Sequence, residues 1–485
     1  MYYPTLKQAK QIIANGDYDI VPVSKEIYGD GITPIEVMRI LKNYSEHCFM
    51  LESVDDTKRW SRYTFLGFEP ISEITCLNNV VTIDGQIYKT KHPQDYIKQI
   101  LKKYKSPKIP KLPAFTGGLV GYFAYDYFKY NESTLNLMVE SDGFNDVDLM
   151  LFDQVICFDN YRQKIILIAN AKCNDLKTGY QKAVDKIERL EELIFNGSKA
   201  EIEPLRLTSD FKALFTKEQY CNMVKKAKDY IKEGDIFQVV LANRLKAKAT
   251  GSLFDSYRVL RTTNPSPYMF YFSSPSQEIA GASPETLVKM EDGNLYTYPL
   301  AGTRRRGQDE NEDQKLEKEL LADPKELAEH NMLVDLGRND LGRVAKFNSV
   351  KVEKYLEILK FSHVMHIGST VVAKALENKD AIDVIGAMLP AGTLSGAPKI
   401  RACQIINELE KSRRGIYGGA IGYIDFTGNL DTCIAIRIAY KKGEDVYVCS
   451  GAGIVHDSIP VNEYRECLNK AKAVINAIYE ADGGI

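Results

Sequence analysis

Two stretches of this chain with helical spacing each carry glutamates three residues apart. In the first, Asp323-Pro-Lys-Glu326 reads as an N-cap, a first-turn proline and a capping-box glutamate, with Glu329 one turn on. Helical spacing stacks Glu329 with Leu333 and Leu336, and a carboxylate beside apolar neighbours is costly unless something cationic meets it. The second opens at Pro460 and carries Glu463, Glu466 and Lys470 on one stripe, with Val461, Tyr464, Leu468 and Ile475 opposite. Ordinary explanations exist, Glu326 as a cap and Glu466 as the partner of Lys470 on a solvated face. Together, however, the two segments offer an all-oxygen ligand set, which suits Mg²⁺ better than zinc.

Asp431-Thr-Cys-Ile-Ala-Ile-Arg-Ile-Ala-Tyr440 reads as one strand, with Ile434, Ile436 and Ile438 on one face and Cys433, Ala435, Arg437 and Ala439 on the other. Small residues around a single guanidinium leave room for a planar anion, and arginine offers a two-point fork for a carboxylate. The alternative is an arginine that merely covers sheet surface. Two glycine-rich turns, Ala391–Lys399 and Ser450–Val455, lack the endings of nucleotide loops but expose backbone N–H groups to carboxylates. His363 and His366 have no further His or Cys nearby, so a packed or general-base histidine fits better than a transition-metal ligand.

Several elements are expected to position these residues. Asp84-Gly85, Asp292-Gly-Asn294 and Thr427-Gly-Asn429 predict tight hairpins. Apolar spacing from Leu176 predicts a helix to Phe195, stopped in a left-handed turn at Asn196-Gly197, and Thr216-x-x-Gln219 opens another that runs to Gly234. The expected fold is α+β, with large, mostly antiparallel sheets packed as a sandwich and helices outside, in a sheet-rich region 1–205 and a second region 206–485. Gly117-Gly-Leu-Val-Gly-Tyr122 and Gly418-Gly-Ala-Ile-Gly-Tyr423 resemble each other and are expected to mark equivalent bends in two sheets. With 44% apolar residues, 26% charged and a net charge of -2, the chain has no electrostatic footprint for nucleic acid. Nine scattered cysteines without a Cys-x-x-Cys pair suit a reducing cytoplasm, and neither a leader nor a membrane span is evident.

Taken in order, Gly281-Ala-Ser-Pro-Glu-Thr286, Tyr298-Pro-Leu-Ala-Gly-Thr-Arg304, Glu329-His-x-Met-Leu-Val-Asp-Leu-x-Arg-Asn-Asp340, Leu389-Pro-Ala-Gly-Thr-Leu-Ser-Gly-Ala-Pro-Lys399 and Ser450-Gly-Ala-Gly-Ile-Val455 resemble the chorismate-binding enzymes. Leu51-Glu-Ser53 and Arg62-Tyr-Thr-Phe-Leu-Gly67 resemble the N-terminal region of anthranilate synthase large subunits. The resemblance implies Mg²⁺ on Glu329 and Glu466, with Glu326 and Glu463 nearby, engaging the ring carboxylate of chorismate. It implies that Arg437 and Tyr417 hold the enolpyruvyl carboxylate, that Lys470 and the backbone at Gly451 and Gly453 position the substrate, and that Thr393 and Thr303 line the ring. Glu285 is the implied general acid, and His366 serves the later proton abstraction.

Two positions discriminate within that family. Members that add water carry a lysine where this chain has Gln238, which cannot act as a base. Members that aminate at the para position carry a lysine nucleophile where this chain has Ala301, so direct attack of ammonia at C2 is expected. The rivals are a para-aminating aminodeoxychorismate synthase that manages without that lysine, and a catalytically silent regulatory protein. No Gly-x-Cys-x-Gly elbow is present, so ammonia is expected from a separate glutamine amidotransferase subunit. The resemblance also implies tryptophan feedback at a pocket of Leu51, Glu52 and Ser53 with Pro267, Tyr268 and Met269.

Overall fold

Strand Lys164–Lys172 is buried along almost its whole length because it is covered on both faces. Ile166 and Ile168 join the core between two sheets, while Ile165, Leu167 and Ala169 meet helices on the outer side. That double cover explains why such strands lack the apolar–polar alternation of a half-exposed sheet. The structure, a computed structural model, describes residues 1–53, 62–132, 134–135, 143–360 and 364–485. His363 lies outside the described residues.

Every strand pairing in the two large sheets is antiparallel. The first sheet, of 14 strands, places Cys48–Glu52 beside Tyr268–Ser273, then Glu278–Ser283, Ile438–Lys442, Asp445–Ile454 and Gln238–Thr250. The second, of 12 strands, runs from Leu300–Arg305 and Val364–Lys374 through Thr286–Glu291, Leu430–Ile434 and Ala420–Asp425 to Gly118–Phe123. Both sheets mix the N-terminal and C-terminal regions: Leu51 pairs with Phe270, and Phe123 with Ala420. The sandwich and the three hairpins agree with expectation, the Asp84-Gly85 turn having both residues at positive φ, 49° and 81°. Thr216 forms the predicted reciprocal capping box with Gln219.

The segment Asp431–Tyr440 is not one strand. It leaves the second sheet after Ile434 and enters the first at Ile438, turning at Arg437, whose φ is +52°. Glu278–Ser283 and Thr286–Glu291 cross between the same sheets in the opposite direction, and the two crossings are stitched together. Ile434 N donates to Glu285 O (2.9 Å), and Ala282 N to Arg437 O (3.1 Å).

Other local expectations also change. The two glycine hexapeptides are neighbours in one sheet, Gly121 pairing with Gly422. A Cβ at either would stand 2.1 Å from a carbonyl of the next strand. Ser450–Ile454 is strand, paired with Val239–Asn243, instead of a turn. Gly197 is extended (φ -68°, ψ 140°), so no left-handed stop occurs; the glycine is required because a Cβ would press on Leu193 O and Ile40. Asp323 caps its helix, but Glu326 reaches out to Arg304 (3.3 Å). The Pro460–Glu480 helix buries Cys467, Ala471, Val474 and Ile478, leaving Tyr464, Leu468 and Ile475 on the margins of that face.

Candidate functional site

The paired crossings place Glu285 and Arg437 together where the sheets meet. Burial pushes the Glu285 carboxyl up to about 7, against the opposing pull of the Thr393 hydroxyl and of the Lys470 and Arg437 cations. The Arg437 guanidinium is lowered by its own desolvation, which Glu285 partly offsets. Here a carboxylic acid keeps a substantial protonated fraction near neutral pH beside two cations able to receive carboxylates.

Helices Pro324–Gly342 and Pro460–Glu480 bring the four glutamates within electrostatic reach. Glu329 is raised by burial, then by repulsion from Glu326 and Glu466, with Lys470 and Lys325 opposing. Glu463 is raised by burial and by Glu466, against a Ser458 hydrogen bond and Lys470. Among the described residues no three His, Cys, Asp or Glu side chains converge closely enough to hold an ion as they stand. Glu466 meets Lys470 at 2.7 Å, as the ordinary reading of that stripe expects. Crowded carboxylates raised by mutual repulsion are nevertheless a donor set that a hard divalent cation relieves. Arg437, Glu466 and Lys470 line one open cavity of about 520 Å³. Asn462, Arg465 and Asn469 line it too and escaped the sequence reading, and so does Asn264, which opens the segment read in the sequence as one side of the tryptophan pocket. Asn462, Glu466, Asn469 and Lys470 follow helical spacing, a signal that would have found two of them.

His366 faces a β-bulge. Ala301 pairs with Ile367 and Arg304 with Met365, so Gly302 and Thr303 together oppose His366. The bulge directs Gly302 O (2.8 Å) and Thr303 Oγ1 (3.1 Å) at His366 Nδ1. A carbonyl only accepts, so Nδ1 carries the proton and Nε2 the basic lone pair. Burial and Arg437 hold the imidazole pKa down, keeping it neutral. Ala301, buried in the same strand, contributes no amine.

Gln238 opens the strand facing Gly453, and a Cβ there would come within 3.0 Å of Gln238 Nε2. The Gln238 Oε1 atom is buried and meets no hydrogen-bond partner among the described residues. Gly451 lies against Tyr417 in the same way, a Cβ there coming 3.0 Å from Tyr417 Oη. A buried Glu410–Arg414 pair clamps these segments. Arg414 donates to Leu394 O (2.5 Å), next to Thr393, and to Val240 O (2.7 Å), and Glu410 accepts from Ala242 N (2.8 Å). Arg414→Met leaves Glu410 buried without its cation; it is expected to cost about 3–5 kcal/mol, read as a fall in unfolding free energy by urea titration.

A second cavity, of about 770 Å³, is lined by Leu51, Glu52, Ser53, Pro267, Tyr268 and Met269 together. Its size is that of a small-molecule site. Glu52 is already engaged by the Tyr257 hydroxyl and by Arg261 Nε (2.6 Å), whereas Ser53 Oγ is buried with no partner among the described residues. Residues of Lys351–Lys360 and Val364–Lys374, strands the sequence reading did not assign, line the cavity too.

A family model described as chorismate binding enzyme matches residues 46–476. The chain is 45% identical to anthranilate synthase component 1 of Acetivibrio thermocellus, over 99% of each chain. It is 42% identical to the same component of Aquifex aeolicus, over 99% of this chain and 98% of the relative. The crystal structure of anthranilate synthase component I from Streptococcus pneumoniae TIGR4 superposes with a TM-score of 0.76 at 38% identity, covering 92% of this chain and 98% of that one. By sequence and by fold, the chain belongs to the chorismate-binding enzyme family, within its anthranilate synthase component 1 group.

Proposed function

We propose that this enzyme converts chorismate and ammonia to anthranilate, pyruvate and water through 2-amino-2-deoxyisochorismate, the first committed step of tryptophan synthesis. The observation that carries the reading is Glu285, pushed up to about 7 by burial within electrostatic reach of Arg437 and Lys470, together with His366, held down by burial and by the same Arg437, and no lysine at positions 238 or 301. Arg437 and Tyr417 hold the enolpyruvyl carboxylate; Lys470 and the Gly451 and Gly453 backbone fix the substrate's orientation; Thr303 and Thr393 border the ring. Glu329 and Glu466, supported by Glu326 and Glu463, would hold Mg²⁺, which supplies electron withdrawal through the ring carboxylate.

Glu285 protonates the C4 hydroxyl, which leaves as water while ammonia bonds to C2 and the ring double bonds shift. Gln238 Oε1 accepts an N–H of that ammonia, orienting it without taking its proton, and the proton lost from the new C2–ammonium group restores the Glu285 carboxylic acid. His366 Nε2 then removes the C2 proton as the C3–O bond breaks, and the departing enolpyruvate takes up a proton to become pyruvate. The ring is now aromatic.

Ammonia comes from a separate glutamine amidotransferase subunit. Region 206–485 carries the chemistry, and 1–205 contributes a wall of the second cavity, where tryptophan acts as feedback inhibitor. The cytoplasm suits nine unpaired cysteines, and no described helix is long and apolar enough to cross a membrane. Incubating the purified chain with chorismate, Mg²⁺ and ammonium is expected to give the ortho-aminated product; a para-aminated product, or none, overturns the reading.

A further inference from the structure

The second cavity is tied to the catalytic helix by a small hydrogen-bonded relay. Strand Lys351–Lys360 pairs irregularly with Val364–Lys374: Lys354 faces Thr370 and Glu357 faces Gly368, so Tyr355 and Leu356 together oppose Ser369. The bulge is marked by Leu356 at φ +57°, a left-handed conformation uncommon for a bulky side chain. Lys354, Glu357, Gly368, Ser369 and Thr370 all line the cavity.

From this bulge two bonds run to helix Pro324–Gly342. Ser369 Oγ accepts from Leu356 N (3.1 Å) and lies 2.6 Å from Nε2 of the fully buried His330. The His330 Nδ1 atom meets no hydrogen-bond partner among the described residues, so Ser369 is what holds that ring. Tyr355 Oη donates to Asn331 Oδ1 (2.7 Å). His330 and Asn331 directly follow Glu329. The residues that flank and face a single strand bulge thus form part of the cavity wall, while the bulge grips the helix just past the carboxylate within electrostatic reach of Lys470.

We propose that the Tyr355–Leu356 bulge, acting through Ser369–His330 and Tyr355–Asn331, transmits occupancy of the second cavity to the position of Glu329. A ligand that moves Lys354 or Glu357 moves the bulge, and the two bonds carry that movement into the helix. His330 and Tyr355 are positioning residues here and touch no substrate. The inference rests on the reading of the cavity as a tryptophan site.

The test separates binding from inhibition. L-Tryptophan affinity is measured by calorimetry on the whole chain, and inhibition of ammonium-dependent turnover is measured in parallel for the parent, His330→Leu, His330→Gln and Tyr355→Phe. His330→Leu and Tyr355→Phe are expected to bind tryptophan nearly as the parent does, while the concentration for half-inhibition rises about tenfold. His330→Gln, which restores a polar group near Ser369, is expected to regain inhibition. Tyr355 is partly exposed, so Tyr355→Phe decides the matter should His330→Leu fail to fold. Inhibition that follows affinity unchanged in the folded variants overturns the relay. If the parent shows no binding, the tryptophan reading of the cavity falls first and the relay with it.

Discussion

Glu285→Gln is expected to slow ammonium-dependent turnover by about 10²–10⁴-fold, the span typical of losing a positioned proton donor. Glutamine preserves the shape of the side chain and can still donate a hydrogen bond to the C4 oxygen, so the Michaelis constant for chorismate changes much less than the turnover number. What it cannot do is release a proton to the departing hydroxyl. The pH profile provides the second signature. Burial, the dominant cause, holds Glu285 at about 7, and only the protonated form is competent. Activity that depends on this group is therefore present below pH ~7 and falls about tenfold per unit as the pH rises beyond it. In the glutamine variant that alkaline limb should vanish from the residual rate. A variant that keeps most of the parent turnover, or a profile whose alkaline limb survives unchanged, would remove Glu285 from the acid role.

The two glutamate stripes were legible in the sequence because helical spacing alone assigns residues to a face, whatever the helix packs against. The crossing at Ala435–Arg437 was not legible. A strand that stays in one sheet and a segment that changes sheets between Ile434 and Ile438 show the same local alternation, and only the partners differ. For the same reason Gly302 was visible as a glycine, but the bulge it makes depends on His366, more than sixty residues away along the chain. Glu410 and Arg414, four residues apart, have the spacing of a solvated helical pair, and nothing local announces that both are buried. The six residues that the family resemblance grouped do come together in the lining of the second cavity. The cavity is also lined by charged residues such as Glu353 and Glu357, which carry no local mark of a binding site in the sequence.

His366→Ala should divide the reaction in two. The Gly302 carbonyl fixes the imidazole proton on Nδ1, and burial, followed by the nearby Arg437, keeps the ring neutral, so Nε2 carries the basic lone pair at neutral pH. That base is needed only after the C2–N bond has formed, because amination draws its proton from Glu285 and its nucleophile from free ammonia. Alanine at position 366 is therefore expected to leave chorismate consumption running while anthranilate formation drops about 10²–10⁴-fold. The missing product should appear as 2-amino-2-deoxyisochorismate, which retains the enolpyruvyl group and is separable from anthranilate by chromatography with mass detection. A Thr303→Val variant, which keeps the Gly302 carbonyl contact, should disturb the split far less, because the carbonyl alone suffices to set the tautomer. Anthranilate made by His366→Ala at the parent rate would show that another group takes the C2 proton. Equal loss of both steps would instead mean that His366 shapes the binding of chorismate itself.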